Sequence, residues 1–229
     1  MSLFALIPCY NAEKTLPNLL AELKAFIPPE RTICVNDGSR DKTVTTLRKL
    51  DVKAYHFPKN QGKGAALKLG YELALKCGAT AVLAIDSDHQ HLPADIPKFL
   101  REASCYDIVV GSRRRNGRFG KPMPFPRVFS NSTTSAILSC LTKQRIEDAQ
   151  CGFRLIHRRC LEDIVPLCKE KGFMFETEFL LHAAERGYKI GFVEIEVIYG
   201  TSASNMRYVA DTFNFVKLVL RHWLKRRGR

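Results

Sequence analysis

The chain has 229 residues, enough to bury a full hydrophobic core, and it is predicted to fold as a single domain. Its hydrophobic content of 45% is ordinary for a globular protein, and no apolar run approaches the roughly 20 residues that span a bilayer. The formal net charge of +13 is concentrated in residues 113–127 and 221–229. Such clusters attract the phosphates of nucleic acids, nucleotides or anionic lipids; a solvated face that only aids solubility is the alternative.

The cysteines and the N-terminal segment indicate the compartment. Eight cysteines are scattered without a Cys-x-x-Cys pair, which favours reduced, packed thiols over disulfides or a zinc site. The apolar N-terminal segment ends at Pro8 and follows no basic residues, so we predict a first strand rather than a signal peptide. We expect a cytoplasmic protein, soluble or peripheral on the cytoplasmic face of a membrane.

The first half of the chain alternates strand-like and helix-like segments. Apolar residues recur at helical spacing over residues 16–26, 44–50 and 65–73. This alternation predicts an α/β fold, with a mostly parallel central sheet flanked by helices and ligands bound beyond the carboxyl ends of the strands. The predicted strands are Leu3–Ile7, Arg31–Val35, Lys53–Phe57, Ala79–Ile85 and Asp107–Gly111.

The second half has a different rhythm and is interpreted as an elaboration of the same sheet. A basic loop rich in Pro and Gly follows Gly111, and the sequence contains no internal repeat or clear linker. Strands are predicted at Phe153–His157 and Lys189–Tyr199. The predicted helices are Arg127–Leu141, Arg159–Leu167, Glu176–Arg186 and Tyr208–Lys225.

Two carboxylates, Asp86 and Asp88, follow the fourth predicted strand one residue apart. Carboxylates at the end of a buried strand are unfavourable unless something compensates them, and a divalent cation is a common compensation. A strand followed by Asp-x-Asp therefore suggests a metal that holds the phosphates of a nucleotide. Taken alone, the pattern is more often a solvated turn or a helix cap.

Other predicted strand ends carry polar groups that suit a nucleotide. The loop after the first strand offers the ring of Tyr10 and the carboxylate of Glu13. Asp37 directly follows the second strand, where it can bond a base or ribose edge, or belong to a turn that caps the next helix. The segment Asn-Gln-Gly-Lys-Gly at 60–64 opens a helix and brings a lysine and backbone amides towards a phosphate.

Four segments together resemble those of the inverting family 2 glycosyltransferases of GT-A fold. The resemblance extends over nearly the whole chain and is closest to the branch of dolichyl-phosphate mannose synthases and dolichyl-phosphate glucosyltransferases. The segments are Ile-Pro-Cys-Tyr-Asn-Ala-Glu at 7–13, Val-Asn-Asp-Gly-Ser-Arg-Asp-Lys-Thr at 35–43, Asn-Gln-Gly-Lys-Gly-Ala-Ala at 60–66 and Asp-Ser-Asp-His-Gln-His at 86–91.

The resemblance implies a metal-dependent enzyme that moves a hexose from a nucleotide-sugar to a polyprenyl or dolichyl monophosphate. Its metal motif is Asp-x-Asp-x-Gln, which makes Asp88 and Gln90 the expected ligands of Mg²⁺ or Mn²⁺. The residues expected to hold the nucleotide-sugar are Pro8, Tyr10, Glu13, Val35, Asp37, Asp86 and Ser87.

The segment Asp-Ala-Gln-Cys-Gly-Phe at 148–153 resembles the glucosyltransferase version of a second family motif, and it favours a UDP-sugar over GDP-mannose as donor. Asp148, Gln150 and Arg113 are the predicted catalytic residues. Asp148 is either a general base for a hydroxyl acceptor or a group that orients the donor sugar or an arginine. Arg113 and Arg127 are predicted to bind the acceptor phosphate, an anionic nucleophile that needs no strong base.

The C-terminal segment is predicted to form an element separate from the transferase domain. Residues 1–207 are predicted to form the transferase domain, and residues 208–229 a basic amphipathic helix that lies on an anionic membrane or packs on the core.

Two other functions rival a lipid-phosphate glycosyltransferase. One rival is a family 2 glycosyltransferase with a glycan or other hydroxyl acceptor. The other is a non-catalytic basic module for nucleic acid, which the intact carboxylates disfavour, so no nucleic-acid partner is expected.

Overall fold

The computed structural model describes residues 1–115, 118–119, 125–198, 215, 218 and 219 of the chain. Its main feature is a seven-stranded sheet in the order β3-β2-β1-β4-β8-β5-β9. Two short strands, β6 (Arg114–Arg115) and β7 (Arg118–Phe119), form a separate antiparallel ribbon. The strands of the large sheet are β1 (Leu3–Cys9), β2 (Thr32–Asn36), β3 (Lys53–His56), β4 (Ala81–Ala84), β5 (Ile108–Ser112), β8 (Arg154–His157) and β9 (Ile190–Glu194).

Helices flank this sheet, and their apolar faces build the core. In α1 the buried residues are leucines three and four positions apart, as the helical spacing predicts. A Cβ at Gly70 would overlap the buried side chain of Leu6, so this glycine lets α3 lie directly on β1. The helices are α1 (Leu16–Leu23), α2 (Thr43–Lys49), α3 (Lys63–Lys76), α4 (Ile96–Glu102), α5 (Phe125–Thr142), α6 (Arg158–Ile164) and α7 (Met174–Glu185).

The predicted α/β architecture with a mostly parallel sheet is confirmed, but several elements differ in detail, among them the ribbon β6–β7 in the predicted basic loop. Helix α4 lies in a stretch for which the sequence predicts no helix; prolines at its start, Pro93 and Pro97, obscure the short apolar repeat of Ile96 and Phe99. The last strand, predicted over Lys189–Tyr199, is shorter in the structure and ends at Glu194. Beyond it, Val197 forms only an isolated bridge with His91.

Strand β8 is the one antiparallel member of the described sheet, and it lies between β4 and β5. Its first residue, Arg154, is fully buried and donates to the carbonyl oxygens of Cys151, Glu176 and Ala149 at 2.7–2.8 Å. A buried guanidinium is tolerated only when its donors are satisfied. Arg154 thus fixes the loop before β8 and the first turn of α7 relative to the sheet.

All eight cysteines are free thiols and five are buried, in keeping with the expected reduced state. Within the described part of the chain, no helix combines the length and apolar character required to cross a membrane. Most of the predicted helix Tyr208–Lys225 lies outside the described residues. Of that segment, Phe215 and Leu218 are buried in the core and Val219 packs against it.

Replacing Arg154 with Met should lower the free energy of unfolding by about 3 kcal/mol, because three buried carbonyl oxygens lose a charged donor. Urea unfolding at neutral pH measures the change. The matched control is Arg145→Met, since the Arg145 side chain is 82% exposed and its ion pair with Glu147 contributes less than about 1 kcal/mol. Equal losses in the two variants would contradict this role of Arg154.

Candidate active site

A pocket of about 430 Å³ opens beyond the carboxyl ends of β1, β2 and β4. The pocket is lined by the loops after these strands, the start of α3 and the segment before α7. Loops of an α/β sheet converge at this edge, so residues far apart in sequence become neighbours. The predicted site residues that line the pocket are Pro8, Tyr10, Asp37, Asp86, Ser87, Asp88, Gln90, Arg113 and Gln150.

Of the four other predicted site residues, three have described side chains that do not line the pocket. Val35 is fully buried within β2. The Glu13 carboxylate accepts the backbone amide of Lys42 at 2.8 Å and so joins the first two loops. Asp148 is fully buried. Arg127 belongs to α5, but its side chain lies outside the described residues.

Asp37 holds the start of α3 in place. Its two carboxylate oxygens accept the backbone amides of Gln61 at 2.6 Å and Gly62 at 2.9 Å. Burial raises the pKa of Asp37, although both amides act in the opposite direction. The residue that bonds the start of the next helix is Asp41 rather than Asp37. The Asp41 carboxylate accepts the amide of Thr43, the first residue of α2, at 3.0 Å. Asp37 therefore has a structural role and also faces the pocket.

A cluster of three charges lies at the wall of the pocket. The Lys63 ammonium, at the first residue of α3, is 2.6 Å from the Asp86 carboxylate and 3.1 Å from the Glu176 carboxylate of α7. All three side chains are at least three-quarters buried. Gly152 lies against Asp86, because a Cβ there would be 2.5 Å from the Asp86 carboxyl carbon. Asp86 is thus held between a lysine and the backbone of the second half.

The pKa shifts in this cluster have opposite signs for the two acids. Burial alone would raise the pKa of Asp86, but the charge and hydrogen bond of Lys63, with the charge of Arg113, lower it below its usual value. The pKa of Glu176 is raised, because burial outweighs the attraction of Lys63. The pKa of Lys63 is raised, since its two acidic neighbours outweigh its own burial. Lys63 therefore remains an ammonium and Asp86 a carboxylate.

Asp88 and Gln90 lie in the pocket on one short turn, in which an Asp88 carboxylate oxygen accepts the Gln90 amide at 3.0 Å. Within the described ranges, no group of three or more His, Cys, Asp or Glu residues is arranged to hold a metal. A carboxylate and an amide oxygen nevertheless suit Mg²⁺ or Mn²⁺, since Mg²⁺ is commonly bound by one or two carboxylates, substrate phosphates and water. The donor set fits a metal that the substrate completes.

On another side of the pocket, Arg113 forms a two-point ion pair with Asp148. Arg113 Nε and Nη2 donate to the two Asp148 oxygens at 2.7 and 2.8 Å, and the Arg113 backbone amide is 3.2 Å from Oδ2. Asn131 and the amide of Gln150 donate to Oδ1 as well. Burial would raise the pKa of Asp148, but Arg113 and Asn131 hold it below its usual value. Both oxygens of Asp148 are thus occupied.

His91 also lines the pocket and is nearly fully buried. Its ring stacks on Phe153, with the two centroids 5.8 Å apart. Burial lowers the pKa of His91 to about 4, so the imidazole is neutral at physiological pH. Its Nδ1 atom has no hydrogen-bond partner among the described groups. His89, in contrast, pairs with Glu22 at the protein surface.

Lys63, Glu176 and His91 were not among the predicted site residues. The segment at 60–64 carried a signal for Lys63, because its glycines precede a helix at the ligand-binding edge of the sheet. No local pattern pairs Lys63 with Glu176, which lies 113 positions later and joins it only through the packing of α7 beside α3. His89 and His91 flank the metal motif in the sequence, which by itself favours supporting or surface residues over metal ligands.

The sequence model of Glycosyl transferase family 2 matches residues 4–165, which is most of the chain. A UDP-N-acetylglucosamine–dolichyl-phosphate N-acetylglucosaminyltransferase from Methanococcus voltae is 29% identical over 216 residues and covers 86% of both chains. A polyprenol monophosphomannose synthase from Mycolicibacterium smegmatis is 26% identical, covering 85% of this chain and 76% of the relative. A dolichyl-phosphate beta-glucosyltransferase from Trichomonas vaginalis is 30% identical, covering 83% and 64%.

Solved structures give the same answer for the fold. The glucosyl-3-phosphoglycerate synthase of Mycobacterium tuberculosis, crystallised with Mn²⁺, UDP and glucosyl-3-phosphoglycerate, superposes with a TM-score of 0.77. The match covers 96% of this chain and 79% of that one at 17% identity, so it shows the shared fold alone. The chain belongs to glycosyl transferase family 2 and is a sugar-transferring enzyme of GT-A fold.

Proposed function

We propose that the protein is a metal-dependent, inverting transferase that moves a hexose from a nucleotide-sugar to a polyprenyl or dolichyl monophosphate. The names of the similar enzymes from Methanococcus, Mycolicibacterium and Trichomonas support the lipid-phosphate acceptor, since each names a dolichyl- or polyprenol-linked phosphate. A UDP-sugar is the proposed donor, on the motif at 148–153 and on the UDP-sugar in the name of the Methanococcus enzyme.

The observation that carries the acceptor proposal is the Arg113–Asp148 pair. Asp148 has both oxygens occupied and a lowered pKa, which makes it a poor general base. The pair instead fixes the guanidinium of Arg113 at the pocket. A phosphate acceptor brings its own negative charge and needs a positioned cation rather than a base. The arrangement therefore favours a phosphate over a sugar hydroxyl as nucleophile.

The other acids of the described pocket are also engaged. Asp37 accepts two backbone amides, and Asp86 and Glu176 both pair with Lys63. Asp88 accepts the Gln90 amide and is the proposed metal ligand. No described pocket-lining acid thus stands apart as a base for a hydroxyl acceptor. This is the physical argument against the rival glycan acceptor.

For the donor, we propose that the predicted residues act as two groups. Pro8, Tyr10 and Asp37, with Glu13 and Val35 behind them, hold the base and ribose, while Asp86 and Ser87 contact the nucleotide-sugar. Asp88 and Gln90 hold Mg²⁺ or Mn²⁺, which when bound stabilises the negative charge that develops on the leaving diphosphate. Gln150 lies in the pocket beside the Arg113 pair, where we propose that it orients the donor sugar.

The membrane is the proposed place of the reaction, since a polyprenyl phosphate resides there. Residues 217–229 contain several basic residues next to Trp223 and Leu224. Each Lys or Arg near an anionic surface contributes about 1 kcal/mol, so a cluster of them holds a protein reversibly without a spanning helix. Phe215 and Leu218 pack on the core, which leaves the following basic residues as the proposed membrane contact.

Asp88→Ala should abolish metal-dependent binding of the nucleotide while the fold is retained, because the metal loses its only proposed carboxylate ligand. Calorimetry with UDP and with GDP, each with and without Mn²⁺, measures this. UDP should bind more tightly than GDP to the wild type, and Mn²⁺ should strengthen its binding at least tenfold. Full turnover by EDTA-treated enzyme would refute the metal site, and tighter binding of GDP would reverse the donor assignment.

Arg127→Ala should raise KM for a short polyprenyl phosphate at least tenfold and change KM for the sugar donor less than twofold, because the arginine is proposed to bind the acceptor alone. Steady-state kinetics with each substrate varied in turn measures both constants. Lys143→Ala, just after the same helix, removes one positive charge outside the pocket and is the control. A wild type that glycosylates only soluble saccharides would overturn the proposed acceptor.

Deleting residues 221–229 should weaken binding to vesicles that contain anionic lipid, since the deletion removes most of the basic tail. Sedimentation with vesicles at increasing salt measures the bound fraction, which should fall for the wild type as salt screens the attraction. Neutral vesicles are the control. Wild-type protein that ignores anionic vesicles at low salt would rule out this mode of attachment.

A further inference from the structure

Helix α5 presents a row of polar side chains to the loop that carries Asp148. Asn131, Ser135 and Ser139 are four residues apart and therefore lie on one face of the helix. The Ser139 hydroxyl accepts the amide of Ile146 at 2.9 Å, and the Ser135 hydroxyl accepts the amide of Ala149 at 3.3 Å. The row thus binds the loop before β8 at successive turns of the helix.

Asn131 makes the contact of this row that reaches the proposed acceptor site. It is fully buried, and its Nδ2 donates to Asp148 Oδ1 at 3.0 Å. The same oxygen accepts Arg113 Nη2 at 2.8 Å. One carboxylate oxygen therefore joins the amide of α5 to the guanidinium at the pocket.

We propose that Asn131 is a positioning residue for the acceptor phosphate, which acts by fixing the Asp148–Arg113 pair relative to helix α5. The inference rests on the proposed function, because it assumes that Arg113 binds that phosphate. Arg127 is in the same helix, four positions before Asn131. Asn131 would then fix the position of α5, the helix that carries Arg127, relative to the Arg113 side chain. Both arginines would thereby act on the same phosphate.

The chemistry of Asn131 favours this role over simple packing. Its Oδ1 atom is buried and has no hydrogen-bond partner among the described groups. An unsatisfied buried acceptor is unfavourable, so a side chain without that oxygen would pack the same space better. The Nδ2 donor explains why an asparagine is present, because it holds the Asp148 carboxylate, which in turn holds Arg113. Ala at this position has no donor for that carboxylate.

The first test separates acceptor from donor kinetics. Asn131→Ala should raise KM for a short polyprenyl phosphate at least fivefold and leave KM for the UDP-sugar within twofold. Thr142→Ala is the control, since Thr142 is in the last turn of the same helix and bonds the Leu138 carbonyl at 2.7 Å. An unchanged acceptor KM in Asn131→Ala, or an equal rise in both variants, would overturn the proposal.

The second test reads the position of Arg113 without turnover. In ¹⁵N-labelled protein, the Arg113 Nε–H signal is identified by its loss in Arg113→Lys. It should exchange slowly with water in the wild type and at least tenfold faster in Asn131→Ala. Equal exchange rates in the two proteins would overturn the positioning role. If the variant does not fold, the Asn131 side-chain amide of the wild type is measured instead, and fast exchange of that amide would overturn the role. If the wild type turns over no polyprenyl phosphate, the proposed function fails, whereas this measurement still decides the link between Asn131 and Arg113.

Discussion

The reversed direction of β8 is the constraint on which the rest of the site depends. In a wholly parallel sheet, the residues before a strand lie at the amino edge, far from the ligands. Because β8 runs antiparallel between β4 and β5, with Arg154 opposite Ala84, the loop before it lies at the carboxyl edge. Asp148 and Gly152 are thereby delivered to the edge that already holds Asp86. The reversal thus brings the loop before β8, from the second half of the sequence, to the pocket formed by the first half.

The buried charged groups around the reversed strand all have hydrogen-bond or ion-pair partners. Arg154 binds three carbonyl oxygens, Lys63 binds two carboxylates, and Arg113 binds Asp148. Moving such groups out of water is unfavourable, and only good hydrogen-bond geometry offsets the loss of hydration. The result is a set of charges whose positions are fixed before any substrate arrives. Transfer of a sugar from a diphosphate benefits from this, since preorganised charges need little rearrangement as negative charge develops.

The sequence predicts which residues after the parallel strands reach the pocket better than it predicts the rest of the lining, for a physical reason. Tyr10 and Asp37 directly follow β1 and β2, and Asp88 comes four residues after β4, so strand prediction alone brings them together at one edge. The ion pair of Lys63 with Glu176 has no such signal, because it depends on the packing of two helices. The same is true of Asn131, whose partner Asp148 is reached only through the reversed strand. Val35 is buried within β2, as its apolar strand predicts, and Glu13 accepts the Lys42 amide of the neighbouring loop, so neither is among the residues that line the pocket.

The division between the two sides also bears on how one fold serves different acceptors. The donor side is built from loops of the parallel strands, and under the proposed function its groups bind a nucleotide and a metal. The acceptor side is built around β8 and α5, where under the proposed function a carboxylate serves to hold an arginine. If Asp148 were released from Arg113, the same carboxylate would be a base for a hydroxyl. The choice between a phosphate and a hydroxyl acceptor would then depend on whether a cation occupies the carboxylate, a property of its partners rather than of the acid itself.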